Sequence, residues 1–217
     1  MFIGHLAAGL AAKRPAPRPS LGLLIAAPLF LDLIWPLFLL AGIERVRVEP
    51  GNTAFTPLAF EWYPWSHSLL MACAWGVLFG GAYFAARRDR AGAFVLGALV
   101  VSHWVLDWVT HRPDLPLTPW GEARLGLGLW NSVAGTVAVE GLLFAGGVAI
   151  YAKATRARDR VGRLAFLANV VFLVVAYAAN LLGPPPPDAR SLAWFALLSW
   201  LLPLWAWWLD RHRDATA

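Results

Sequence analysis

Residues 20–43 read SLGLLIAAPLFLDLIWPLFLLAGI. The run exceeds the roughly 20 apolar residues that cross a bilayer. Its only charged group is Asp32. Five more runs of this kind follow, near 66–86, 91–111, 127–152, 163–182 and 191–209. The expected fold class is therefore all-α: a polytopic membrane helix bundle of six transmembrane helices, forming a single integral-membrane domain over 1–217. A seventh apolar stretch, Phe2 to Ala12, is too short to span. Entering as a re-entrant helix from its basic end at Lys13, it would carry His5 about 12 Å deep at 1.5 Å per residue.

Composition agrees. The chain is 59% hydrophobic and only 14% charged, against about 25% charged in soluble domains. Many of its 13 Trp residues fall near the ends of apolar runs, as rings do at a membrane–water boundary. The net charge of +5 does not point to nucleic acid, because the basic residues cluster in short connections. One set of alternate connections holds Lys13, Arg14, Arg18, Arg87, Arg88, Arg90, Lys153, Arg156, Arg158, Arg160, Arg163, Arg211 and Arg213, leaving five of the 18 Lys and Arg for the other side. The positive-inside rule then predicts both termini in the cytoplasm. The connections 43–65 and 110–126 would face outward. A lone Cys73 excludes an intrachain disulfide.

Ionisable residues inside spans are functional candidates by default. Here they are Asp32, His67 at the start of the second span, His103 and Asp107 in the third, and Glu140 in the fourth. His111 closes the third span and His5 sits in the short N-terminal stretch. Counting 1.5 Å per residue, Asp32, His103 and Glu140 each lie about 18 Å from the basic side and share a layer. His103, Asp107 and His111 are spaced i, i+4, i+8. Each His–Asp pair shares a face, but on a straight helix the two histidines are about 12 Å apart along the axis and turned by about 80°. One ion cannot take all three. Asp107 could bridge two ions, as carboxylates do in two-metal hydrolases, with His67, Asp32 and His5 completing the shells. The His67 and Asp107 side chains must then meet within about 8 Å. Nitrogen plus carboxylate ligands suit zinc, with manganese or iron as alternatives, and one or two ions. The competing explanations are structural: a hydrogen-bonded His at a helix end, a carboxylate gluing helices, and simple helix caps at Asn131 and Ser132.

GHLAAGLAAKR (4–14), an Asp in the next apolar run, SHSLL (66–70), SHWVLDWVTHRPDLPL (102–117) and GLGLWNSVAGTVAVE (126–140) together resemble the YdjM-type bacterial membrane-bound metal-dependent hydrolase family. The resemblance covers about residues 1–145; the last two spans, 163–209, carry no motif. It implies an inner-membrane protein with a metal-ligand pattern similar to zinc-dependent phospholipases C. It implies His5, Asp32, His67, His103 and Asp107 as ligands, with Asp107 as the bridge. The chain departs at EWYPWSHS (61–68), where many members carry a His-Arg pair before a Thr-His-Ser element.

The function expected is hydrolysis of a lipid or lipid-linked (phospho)ester in the outer half of the bilayer, through metal-activated water. Asp114 or Glu140 would act as general base, and Arg112 would hold an anionic head group. The competing functions are a transporter or proton or metal relay using the same His and Asp residues, and a purely structural membrane partner. HExxH, GxSxG and Walker motifs are absent, which lowers protease and nucleotide-driven functions in rank.

Overall fold

The structure is a computed structural model and describes residues 1–216. Six segments are long and apolar enough to cross a membrane. They are α2 (Leu21–Leu40), α4 (Leu69–Arg87), α5 (Arg90–Thr110), α6 (Val133–Ala154), α7 (Arg160–Leu182), and a last span, Ala189–Asp210, built from α8 (Ala189–Ala196), a 3-10 turn and α9 (Leu201–Asp210). Each begins at a serine or aspartate whose side chain accepts the N–H three residues on: Ser20, Ser68, Asp89, Ser132, Asp159 and Asp188. Such a cap satisfies one of the N–H groups that no helix can bond for itself, and is worth about 1 kcal/mol. Outward-facing Val77, Phe94, Leu142, Leu167, Val175 and Phe195 keep half or more of their surface exposed. They form the apolar exterior that a bilayer requires.

Helix α2 is the centre of the bundle. It packs against α1 (Ile3–Ala12), α5, α8 and α9. Helix α1 is a short apolar helix enclosed by α2, α5 and α6, with nearly all its residues buried. Glycine makes its seat. A Cβ at Gly147 of α6 would stand 2.6 Å from the Ala7 carbonyl oxygen of α1. The α4–α5 pair uses the same device, since a Cβ at Gly76 would lie 2.8 Å from the Gly97 carbonyl oxygen. Without a hydrophobic drive between helices in lipid, such backbone approach supplies much of the attraction. Gly76→Val is expected to lower stability by about 1–3 kcal/mol through overpacking, read as an earlier melt of the detergent-solubilised protein. An unchanged melt would argue against this crossing.

The connections sort to two ends. At one end, Arg18 lies 3.8 Å from Asp89, Lys13 pairs with Asp210 at 3.0 Å, and β5 (Thr155–Ala157) pairs antiparallel with β6 (Arg213–Ala215). This gathers the basic connections and the C-terminal segment. At the other end, β1 (Arg45–Val48) and β2 (Leu58–Trp62) form an antiparallel hairpin, followed by the single turn α3 (Pro64–His67). A two-residue ladder joins β3 (Leu115–Pro116) to β4 (Arg124–Leu125). The Phe55 N–H donates to the Trp130 carbonyl and the Leu70 N–H to the Leu117 carbonyl, so the two long connections close over one another.

The span ends shift by at most six residues from those predicted (127 to Val133), and three of the shifts have a local cause. The second span starts at Leu69, because Pro64–His67 makes a separate turn and Ser68 re-caps the chain. The third ends at Thr110, where His111 turns extended with ψ 146°. The fourth starts at Val133, because Gly128 adopts a left-handed φ of +74° that breaks the apolar run.

Candidate metal centre

Four of the five histidines meet at one point. Helix α5 places His103 and Asp107 one turn apart, both facing inward. Asp107 is 2% exposed and its two oxygens divide the neighbours between them. Oδ1 lies 3.1 Å from His5 Nε2 and 2.6 Å from the Met1 amino nitrogen. Oδ2 lies 3.0 Å from His103 Nε2, 3.8 Å from His111 Nε2 and 4.0 Å from His67 Nε2. Asp32, one turn after Pro28 on α2, reaches His67 Nε2 at 3.4 Å and His103 Nε2 at 3.9 Å. The His67–Asp107 separation is well inside the 8 Å that a shared centre requires. His5 and His103 stack with ring centres 3.8 Å apart.

His111 also reaches Asp107, as the i, i+4 spacing predicts, although α5 ends at Thr110. His111 lies past the last helical residue, and its ring folds back under Phe60 and Trp130, with centroids 4.8 and 4.3 Å away.

The imidazole protons settle which nitrogen faces inward. His103 Nδ1 is 2.7 Å from the Pro28 carbonyl, a pure acceptor, so Nδ1 carries the proton. His111 Nδ1 donates to Asp114 Oδ1 at 2.8 Å. His67 Nδ1 is 2.6 Å from Ser66 Oγ, and the Ser66 hydroxyl lies 2.6 Å from Glu44 Oε2. All three rings therefore bond outward through Nδ1 and turn Nε2 toward the carboxylates. The clearest case is His103. Its fully buried Nε2 has no hydrogen-bond partner, although Asp107 Oδ2 is 3.0 Å away. A lone pair held against a carboxylate is repulsive and its burial costly, unless a proton or a metal ion lies between. Outer partners on the far nitrogen are the usual dress of metal-ligating histidines. The residues fit a divalent metal.

Two groups have atoms close enough to hold an ion: His5, His103 and Asp107, and Asp32, His67 and His103. Five of the six candidate ligands are buried. Asp32 keeps 38% of its side-chain surface, so access to the centre passes Asp32.

The remaining candidates sit around this core. Asp114 accepts from His111 and from the Tyr63 hydroxyl at 3.1 Å. Burial together with Asp114 and Asp107 holds the Tyr63 phenol well above its ordinary range, so it stays a donor. Arg112 is half exposed at the mouth, with Nε 3.4 Å from Asp114 Oδ2. Glu140 is fully buried and seats the start of α1: its Oε2 accepts from the N–H groups of Phe2 at 2.8 Å and Gly4 at 3.3 Å. Ser132 caps α6, as expected. Tyr63, Ser66 and the Pro28 carbonyl were not anticipated. The Ser and Pro flanking the site were visible in the sequence, but nothing local said they would meet imidazoles. Glu44, read only as a loop residue, is 2% exposed. Its carboxyl is pushed up to about 7 by burial, against the opposing pull of its bonds to Ser66.

A family model described as YdjM inner membrane protein matches residues 1–183. The chain belongs to the YdjM inner membrane protein family. The match reaches past the predicted limit near 145 to take in α7, and all the residues of the centre lie inside it. Only the last span is outside. The family and the six spans together make this a multi-pass inner-membrane protein. No curated protein and no solved structure matches the chain.

Proposed function

We propose that the chain is a membrane-embedded metal-dependent hydrolase that acts on a lipid or lipid-linked (phospho)ester in the outer half of the bilayer. The observation that carries this is the convergence of His5, His103 and Asp107, and of Asp32, His67 and His103, into two groups close enough to hold an ion, with His103 Nδ1 committed to the Pro28 carbonyl. With Nδ1 committed, His103 has one lone pair and serves one ion. One ion would be held by His5, His103 and Asp107. A second would draw on Asp32, His67 and Asp107, with His111 nearby. Zinc suits nitrogen and carboxylate donors best. A bound divalent ion supplies a Lewis acid and lowers the pKa of water at neutral pH.

The protein groups do the rest. Asp114, bonded to His111 at the mouth, suits the proton-accepting role better than Glu140, whose oxygen is engaged by α1. Arg112, half exposed beside it, would hold an anionic head group. The gathering of basic connections at the end away from the hairpin supports both termini in the cytoplasm and a centre nearer the outer leaflet.

Chelator-treated protein is expected to lose hydrolysis of a phosphodiester lipid presented in micelles, and to regain it on addition of zinc. Metal analysis should find stoichiometric transition metal in wild type and none in His103→Ala/Asp107→Ala. If wild type also contains none after careful reconstitution, the proposal is wrong. Proton-coupled flux through proteoliposomes would then favour a relay.

A further inference from the structure

The imidazoles of the centre are oriented by different kinds of partner, and His67 is the anomalous one. His103 and His111 donate to pure acceptors, the Pro28 carbonyl and the Asp114 carboxylate. Those partners permit one tautomer. His67 faces a serine hydroxyl, which donates or accepts equally well. Left alone, Ser66 would allow the proton on either ring nitrogen.

Glu44 removes that freedom. It lies on the turn between α2 and β1, 22 residues from Ser66, and is 2% exposed. No Lys or Arg pairs with it among the described residues. A buried carboxylate without a cation is costly unless its oxygens are hydrogen-bonded. Both are: Oε1 accepts from the Ser66 N–H at 2.8 Å and Oε2 from the Ser66 hydroxyl at 2.6 Å. Capping the four-residue turn α3 would explain the first bond only. The second takes the one proton Ser66 Oγ possesses. The oxygen can then only accept from His67 Nδ1, 2.6 Å away.

We infer that Glu44 is a positioning residue of the centre: through the Ser66 hydroxyl it fixes the His67 proton on Nδ1 and leaves Nε2 open toward Asp32 and Asp107. The metal part of this inference rests on the function proposed above; the tautomer part does not.

Both parts are tested on the full chain in detergent, with its five histidines 15N-labelled, in mildly alkaline buffer where Glu44 is ionised. Long-range proton–nitrogen spectra of metal-free wild type are expected to show His67, assigned by loss of its signals in His67→Ala, protonated at Nδ1. Glu44→Gln offers an amide N–H to Ser66 Oγ, turns the hydroxyl toward Nδ1, and should move the proton to Nε2. Ser66→Ala, which keeps Glu44 and its backbone bond, should give a mixture of tautomers. Zinc competition against a chelator should find both variants about 10–100-fold weaker than wild type, with the exposed Glu61→Gln unchanged. Wild-type His67 protonated at Nε2, or a Glu44→Gln spectrum identical to wild type, overturns the inference. Wild type that takes no zinc overturns the hydrolase proposal and leaves the spectra to decide the relay.

Discussion

Asp107→Asn is expected to empty the centre. No other residue touches as much of it. The two oxygens of Asp107 reach His5, His67, His103 and His111, within 3.0–4.0 Å. Asparagine keeps the volume but supplies one neutral acceptor in place of two charged ones, and its amide N–H would point at imidazole lone pairs or at the ion. Loss of the bridging carboxylate should weaken zinc binding by about a thousandfold, roughly 4 kcal/mol. Metal content of the purified variant should fall to background. Asp114→Asn is the internal comparison, because it touches the ligand His111 and not the centre itself. It should cost only about 10–100-fold. If Asp107→Asn remains folded and keeps wild-type metal content, Asp107 is not a ligand and the proposed centre is wrong.

The contrast between those two aspartates bears on what the sequence could disclose. Asp107 was legible because its meaning is local: a carboxylate one helical turn from a histidine, in a run too apolar to keep a charge without reason. The spans were legible for the same kind of reason, since each is a long apolar run opened by a Ser or Asp that caps it. Asp32 could be placed beside His103 by depth, whereas His67 entered only as a residue that could complete the shells. His111 was legible in the same i, i+4 spacing, whereas its seat past the end of α5, under Phe60 and Trp130, was not. Glu44 was beyond local reading altogether. Its burial comes from the β1–β2 hairpin folding over the end of the bundle, and its partner is 22 residues away. In the sequence it is one acid among several in a loop. The general division is physical: periodicity and solubility report on single elements, whereas outer partners are set by how connections fold back.

A second large effect is expected away from the candidate centre, at Asp210. The end of α9 brings this carboxylate against the start of α2, where Oδ2 accepts from Lys13 Nζ at 3.0 Å and from the Leu21 N–H at 3.0 Å. The ion pair is nearly enclosed, with side-chain exposures of 6% for Lys13 and 13% for Asp210. Lys13 caps the end of α1, so this one carboxylate ties together α1, the start of α2 and the last span. Asp210→Ala removes the partner of a buried ammonium and a cap on α2 together. Breaking a buried pair in this way costs about 3–5 kcal/mol, because the remaining charge stays desolvated. Most of that cost is the stranded lysine and not the value of the bond. Lys13→Met/Asp210→Ala should therefore recover most of the stability, a coupling that a double-mutant cycle on the melting of the solubilised protein measures directly. Equal losses in the single and double variants would place the cost in the Leu21 cap instead. Because α1 carries His5 into the centre, Asp210→Ala should also weaken zinc binding, and the double variant should restore it in step with stability.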